Sequence, residues 1–172
     1  MRKADLAAQR LLDDANAETA PIDVFALAKL AGAEVVQHRF DDLGVSGMLY
    51  RDDSRTVIGL NSTHTLTRQR FTTAHELGHL KLHPGRPLIL DAPARVNFRD
   101  PTASLATDRE EIEANAFAAA LLMPERLVLE SVRRLLAARQ HTPEELAQLL
   151  SEQFEVSDAA MGYRLINLGI TT

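Results

Sequence analysis

Apolar residues recur at helical spacing near both ends of the chain and change to a strand-like rhythm between them. From Ala4 to about Glu18, Leu6, Leu11, Leu12 and Ala15 mark one face of a helix, until Pro21 interrupts it. A shorter helix follows, opened by Asp23 as N-cap, carried by Val24, Leu27 and Leu30, and closed by Gly32. The next three apolar runs, AEVVQHRF, GVSGMLYRD and RTVIGLN, are separated by Asp41-Asp42-Leu43-Gly44 and Asp52-Asp53-Ser54, and predict three antiparallel strands. Helical spacing returns from Thr67 to His83 through Phe71, Ala74, Leu77 and Leu80, and Pro84-Gly85 ends it.

Residues 84–106 hold four of the seven prolines and no periodicity, which predicts a long loop, a feature that serves function in a compact fold, for instance as a lid. Thr107-Asp108-Arg109-Glu110 is a capping-box pattern and predicts the start of a helix running through Leu122, with another after Pro124. Thr142-Pro143-Glu144-Glu145 repeats that pattern for a helix to about Phe154, and Ser157-Asp158 opens a last one ending near Gly169. The expected fold is α+β: a small three-stranded antiparallel sheet packed on the 67–83 helix, with a mainly helical C-terminal part. At 172 residues and 45% hydrophobic content the chain suits one domain over 1–172. Its core is expected over 1–140, including the N-terminal helices, with 141–172 a small helical appendage.

Composition narrows the setting. The N-terminal segment has scattered charges and no central apolar run, unlike a signal peptide, and the longest apolar segment, AFAAALLMP from Ala116, is far below membrane-spanning length. A soluble, cytoplasmic protein without membrane association is expected. The absence of cysteine excludes disulfides and thiolate ligands, and a net charge of -5 argues against broad attraction to nucleic acid.

Candidate chemistry lies in the stretch RFTTAHELGHLKLHP. Residues four apart on a helix are separated by roughly 40° and about 6 Å of rise, so His75 and His79 can converge on one ion. Glu76 is turned away by about 100° and instead suits proton transfer with an activated water. Such a motif is the signature of metallopeptidases. Gly78 costs about 1 kcal/mol of helix propensity relative to alanine, which implies a local requirement such as close backbone packing. A catalytic zinc needs a third protein ligand and one open position. The acidic start of DREEIEANAFAAALLMP, residues 108–124, supplies three candidates, which could equally be first-turn acids opposed to a helix dipole. Glu111 is preferred because Asn115, one turn later, can support a ligand histidine; Glu113 is the reserve.

The stretch RQRFTTAHELGHLKLH followed by EEIEANAFAAALLMP, together with TVIGLN and VSDAAMGYRLINLG, resembles the ImmA/IrrE family of metallopeptidases over about residues 20–169. The resemblance implies a zincin-like fold in which His75 and His79 bind zinc, Glu76 is the catalytic carboxylate, and Glu111, four residues before Asn115, completes the metal site. It further implies a regulatory endopeptidase that cuts a helix-turn-helix transcriptional repressor, releasing genes for stress response or mobile-element transfer. The alternative is a non-catalytic, metal-containing module that sequesters a repressor or another partner. Imidazole and carboxylate donors suit Mn2+ as well as Zn2+.

Other residues read more plainly. His83 extends the histidine stripe, but about 12 Å of rise from His75 excludes joint ligation, leaving it a supporting residue or a substrate contact. His64 suits a loop or cap, and Tyr50 and Tyr163 suit half-buried packing. TVIGLN could offer an edge for strand addition by a substrate or be a central strand. The last two helices resemble a helix-turn-helix in outline, yet residues 142–168 carry five acidic residues and one basic one, Arg164, which disfavours phosphate contact. No direct binding to nucleic acid is expected, and the oligomeric state is open.

Overall fold

The sheet differs from the expected one. A computed structural model describes residues 3–40, 44–85, 87–91 and 101–170. It contains a four-stranded mixed sheet in the order β1-β3-β2-β4, built from β1 (Ala33–His38), β2 (Gly47–Arg51), β3 (Thr56–Asn61) and β4 (Leu88–Asp91). β2 pairs antiparallel with β3 and with β4, whereas β1 runs parallel to β3, with Ala33 opposite Thr56 and His38 opposite Asn61. The three-stranded antiparallel expectation is therefore corrected in both number and direction. β3 explains the order, because Val57 to Asn61 are buried without alternation, the pattern of a strand covered on both faces. Being paired on both sides, β3 offers no edge to a substrate. Residues 41–43 of the first expected turn lie outside the described residues.

The β2–β3 connection shows why a hairpin forms there. Asp52 accepts hydrogen bonds from the Ser54 and Arg55 backbone N–H groups at 2.8 and 2.9 Å and from the Tyr50 hydroxyl at 2.7 Å. A short carboxylate that reaches its own backbone two residues on closes the turn at little entropic cost.

Seven helices accompany the sheet among the described residues. α1 (Lys3–Asp14) buries Ala4, Ala8, Leu11 and Leu12, and α2 (Val24–Leu30) is capped by Asp23, which accepts from the Ala26 N–H. α3 (Leu66–Leu82), capped by Thr65, packs against β2 and β3 and against α4 (Pro101–Leu122). The stretch 84–106 is not one uninterrupted loop: it contains β4 and the first residues of α4, while residues 86 and 92–100 lie outside the described residues. The capping-box sequence at 107–110 falls inside α4, which opens on Pro101, a residue favoured in a first helical turn. α5 (Glu125–Ala138) has Pro124 as its N-cap residue, and α6 (Pro143–Phe154) carries the expected capping box between Thr142 and Glu145. α7 (Asp158–Asn167) is capped by Ser157.

Leu49, Ile58 and Leu60 of the sheet, Leu77 of α3, Phe117 and Leu121 of α4, Phe154 of α6 and Met161 of α7 form one continuous buried cluster. Two buried arginines tie the C-terminal helices into it. Arg70 of α3 donates to the carbonyls of Ile22, Phe154 and Glu155, and Arg164 of α7 donates to the carbonyl of Met123 at 2.9 Å. None of the described helices is long and apolar enough to cross a membrane.

Candidate metal centre

The middle of α3 is both polar and buried. Thr72, Thr73, His75, Glu76 and His79 are each at most 3% exposed. Burial of such groups is costly unless they are engaged by partners or an ion. Gly78 sets the geometry on one side, since a Cβ there would lie 2.9 Å from the Ala114 Cα and 3.1 Å from its carbonyl oxygen. Only a glycine lets the α3 and α4 backbones meet this closely, and the contact carries Glu111 and Asn115 of α4 to the histidines.

Three donor groups meet there. The Nε2 atoms of His75 and His79 are 3.0 Å apart, and each is 3.2 Å from a different oxygen of Glu111. His75, His79 and Glu111 thus form a cluster whose ligand atoms all lie within 4.8 Å of one another. Donors about 2.0–2.1 Å from a tetrahedral zinc are about 3.3 Å apart, so this set fits such an ion with little movement. The histidine side chains are 4% and 1% exposed and that of Glu111 is 40% exposed, so the cluster opens to solvent on the Glu111 side. Burial pushes the Glu111 carboxyl up, but the hydrogen bonds and charges of His75 and His79 outweigh it and hold the group below the usual carboxylate range.

Outer contacts fix both rings. The far nitrogen of His75, Nδ1, is 3.0 Å from Asn115 Oδ1. His79 Nδ1 is 3.2 Å from His83 Nδ1, whose other nitrogen is 3.2 Å from Glu113 Oε2. Arg109 in turn donates to Glu113 Oε1 at 3.0 Å. His83 is the C-cap of α3 and buried, and burial lowers its pKa even though the Glu113 hydrogen bond opposes the shift. Glu113 sits below its ordinary value through Arg109 first and His83 second. Glu113, the reserve ligand, thus lies beside His83 and not in the three-residue cluster. Glu76 is fully buried, and a Cβ on Gly47 would lie 3.7 Å from its Oε1, so strand β2 passes directly beside this carboxylate.

The remaining residues fall elsewhere. His64 precedes the Thr65 cap, with its carbonyl accepting from Gln69. Tyr50 gives its hydroxyl to Asp52, and that bond, with the aspartate charge, raises its pKa. Tyr163 is 71% exposed and lines a cavity between α3, α4 and α7, to which sequence periodicity gave no clue because its walls come from three separate segments. The His83–Glu113 pair was equally invisible, since its partners lie 30 residues apart.

Among curated proteins, the chain is 31% identical over 110 residues to "Uncharacterized immunity region protein 2" of Bacillus phage phi105, covering 61% of this chain and 65% of that protein. It is 33% identical over 142 residues to "Radiation response metalloprotease IrrE" of Deinococcus radiodurans, covering 79% of this chain and 38% of that protein. The chain thus spans less than two thirds of the length of either relative. A solved structure titled "Mycobacterium tuberculosis transcriptional regulator" shares the fold at a TM-score of 0.62 and 19% identity, over 96% of this chain and 46% of that one. Residues 28–166, which hold the whole histidine–glutamate cluster, match the family model Peptidase_M78, described as the IrrE N-terminal-like domain, and the chain belongs to that family.

Proposed function

We propose that the chain is a zinc-dependent endopeptidase in which His75, His79 and Glu111 hold the ion and Glu76 is the proton-transfer group. The observation that carries this reading is the meeting of two buried imidazoles and one carboxylate, within 4.8 Å, beside a fully buried glutamate. When bound, a divalent ion supplies Lewis acidity that polarises the scissile carbonyl and makes water more acidic. With its proton on Nδ1, donated to Asn115, His75 would turn the Nε2 lone pair toward the ion. By the same logic His79 donates from Nδ1 to His83, and His83 donates from Nε2 to Glu113. Glu76 takes a proton from the attacking water and returns it to the departing amine, a role that places one carboxylate oxygen at the reacting centre. Zinc is favoured by the two-nitrogen, one-oxygen donor set, and manganese is the runner-up.

The substrate we propose is a protein, specifically a helix-turn-helix transcriptional repressor, met in the cytoplasm. Support comes from the family's peptidase character and from relatives whose names refer to a phage immunity region and a radiation response. Glu76→Gln is expected to lower cleavage at least about 100-fold with unchanged metal content. Comparing new protein N-termini in host cells expressing either form, with bound metal quantified in both purified proteins, tests this. A discrete cut made only by the wild type supports the reading and names the substrate. Equal profiles, with repressor control retained by the Gln variant, would favour sequestration.

A further inference from the structure

A cavity of about 520 Å³ lies between the first half of α3, the end of α4 and α7. Phe71, Ala119, Leu122, Met123, Ala160 and Tyr163 give it mainly apolar walls. Its volume lies within the range of sites that bind organic ligands, roughly 300–1,000 Å³. The cavity also adjoins the metal cluster. Asn115 lines it and contacts His75 at 3.0 Å, and the Phe71 ring, another wall, lies 6.3 Å from the His75 ring. At the rim, Arg68 donates to Ser46 at 2.7 Å, and Ser46 precedes the glycine that lies beside Glu76.

Two features define the occupant. No carboxylate is among the described lining residues, and two arginines are, so a lysine or arginine side chain would find no countercharge there. Tyr163 at 71% and Leu66 at 60% exposure, the latter between lining residues Thr65 and Thr67, extend the apolar surface outward. Apolar surface left open beside a reactive cluster marks a site that a partner covers.

We infer that this cavity receives a large apolar side chain, of the leucine, methionine or phenylalanine kind, from the polypeptide held across the metal cluster. The inference rests on the peptidase reading and adds the specificity determinant to it. Its apolar walls make the bond next to a bulky apolar residue the one presented to Glu76.

The test uses the zinc-loaded full chain and peptidyl hydroxamates that differ only in carrying leucine or glycine beside the zinc-binding group, prepared with the varied residue on either side of it. Binding is followed by calorimetry in the wild type and in two cavity-filling variants, Ala119→Leu and Ala160→Phe. In the wild type the leucine compound of one series is expected to bind at least tenfold tighter than its glycine counterpart. Either filled variant that unfolds with the wild-type midpoint should lose that preference while keeping zinc affinity and the glycine compound's affinity. Equal binding of both compounds in both series, no binding to a zinc-loaded chain, or a preference that survives filling would overturn the subsite and leave the metal reading standing. Failure to take up zinc would instead remove the metal reading and the subsite with it. Concentration-dependent dimers of the wild type, abolished by Ala160→Phe, would assign the cavity to a second copy of the chain and also overturn the proposal.

Discussion

His83 and Glu113 show how much of a candidate metal site can lie beyond the residues proposed to hold the ion. His83 places one ring nitrogen 3.2 Å from His79 and the other 3.2 Å from Glu113, so it orients the ring of a proposed ligand that would otherwise rotate. Loss of an outer partner of this kind weakens metal binding by about 10–100-fold. His83→Ala is therefore expected to raise the zinc dissociation constant by about that factor without changing the number of zinc ions bound, as a competition titration with a chromogenic chelator would read. The two glutamates separate by the same assay. Glu111→Ala removes the proposed third ligand and should cost more affinity than Glu113→Ala, which removes only the support of His83; the reverse order would make Glu113 the third ligand. The His75 and His79 pair was readable because residues four apart on a helix share a face, and Glu76 because its place next to His75 turns it to the side of that face. Choosing Glu111 needed the further clue of Asn115, and the actual place of Glu113 depends on how α4 lies along α3.

Between α3 and α4 the deciding residue is Gly78. Alanine there would gain about 1 kcal/mol of helix propensity. Its Cβ, however, would stand 2.9 Å from the Ala114 Cα, and because backbone cannot swing aside the helices must separate, which typically costs about 1–3 kcal/mol. The clash should win. Gly78→Ala is expected to lower the unfolding midpoint and to weaken zinc binding, because Glu111 moves away with α4. A variant more stable than wild type with unchanged affinity would show that the contact is not limiting. The β2–β3 hairpin gives a prediction in pH. Four hydrogen bonds, from the side chain and backbone of Ser54, from Tyr50 and from the Arg55 backbone, hold Asp52 well below the usual aspartate range. A carboxyl depressed in the folded state adds stability above its unfolded pKa and loses that contribution as pH falls through the folded one. Asp52→Ala should then unfold at lower temperature than wild type at pH 7, and the gap should shrink below about pH 4, near the ordinary aspartate value. A constant gap across that range in thermal melts would exclude the carboxylate as its source. The turn was legible from its aspartates and serine. Strand β4 was not, since four residues among prolines show no period, and the parallel β1–β3 pairing was hidden because the apolar runs alone do not reveal which strands become neighbours.

Long-range order in this fold depends on groups that local pattern treats as surface. Arg70 sits in a helical segment where sequence alone suggests a solvated cation, yet it is 5% exposed and reaches carbonyls 48 and 85 residues away. It joins α3 to the entry of α2 and to the end of α6, and it pairs with Glu155 at 3.2 Å, where the chain takes a left-handed turn with φ of 53°. Sequence could place α6 and α7 through their caps but not this clamp, because no spacing rule links residues so far apart. The clamp predicts how the molecule unfolds. Arg70→Met keeps the aliphatic bulk but leaves buried carbonyls of Ile22 and Phe154 without this donor, a loss of about 2–4 kcal/mol on the scale of buried hydrogen-bond deletions. The C-terminal helices share the apolar cluster of α3 and α4 through Phe154, Met161 and Leu165, so the weakened contact should be felt throughout the cooperative unit. Urea unfolding of Arg70→Met is therefore expected to remain a single transition at lower midpoint, with amide exchange accelerated in α3 and α6 alike. A separate early transition confined to α6 and α7 would show instead that these helices fold as an independent appendage, held to the rest by the arginine and little else.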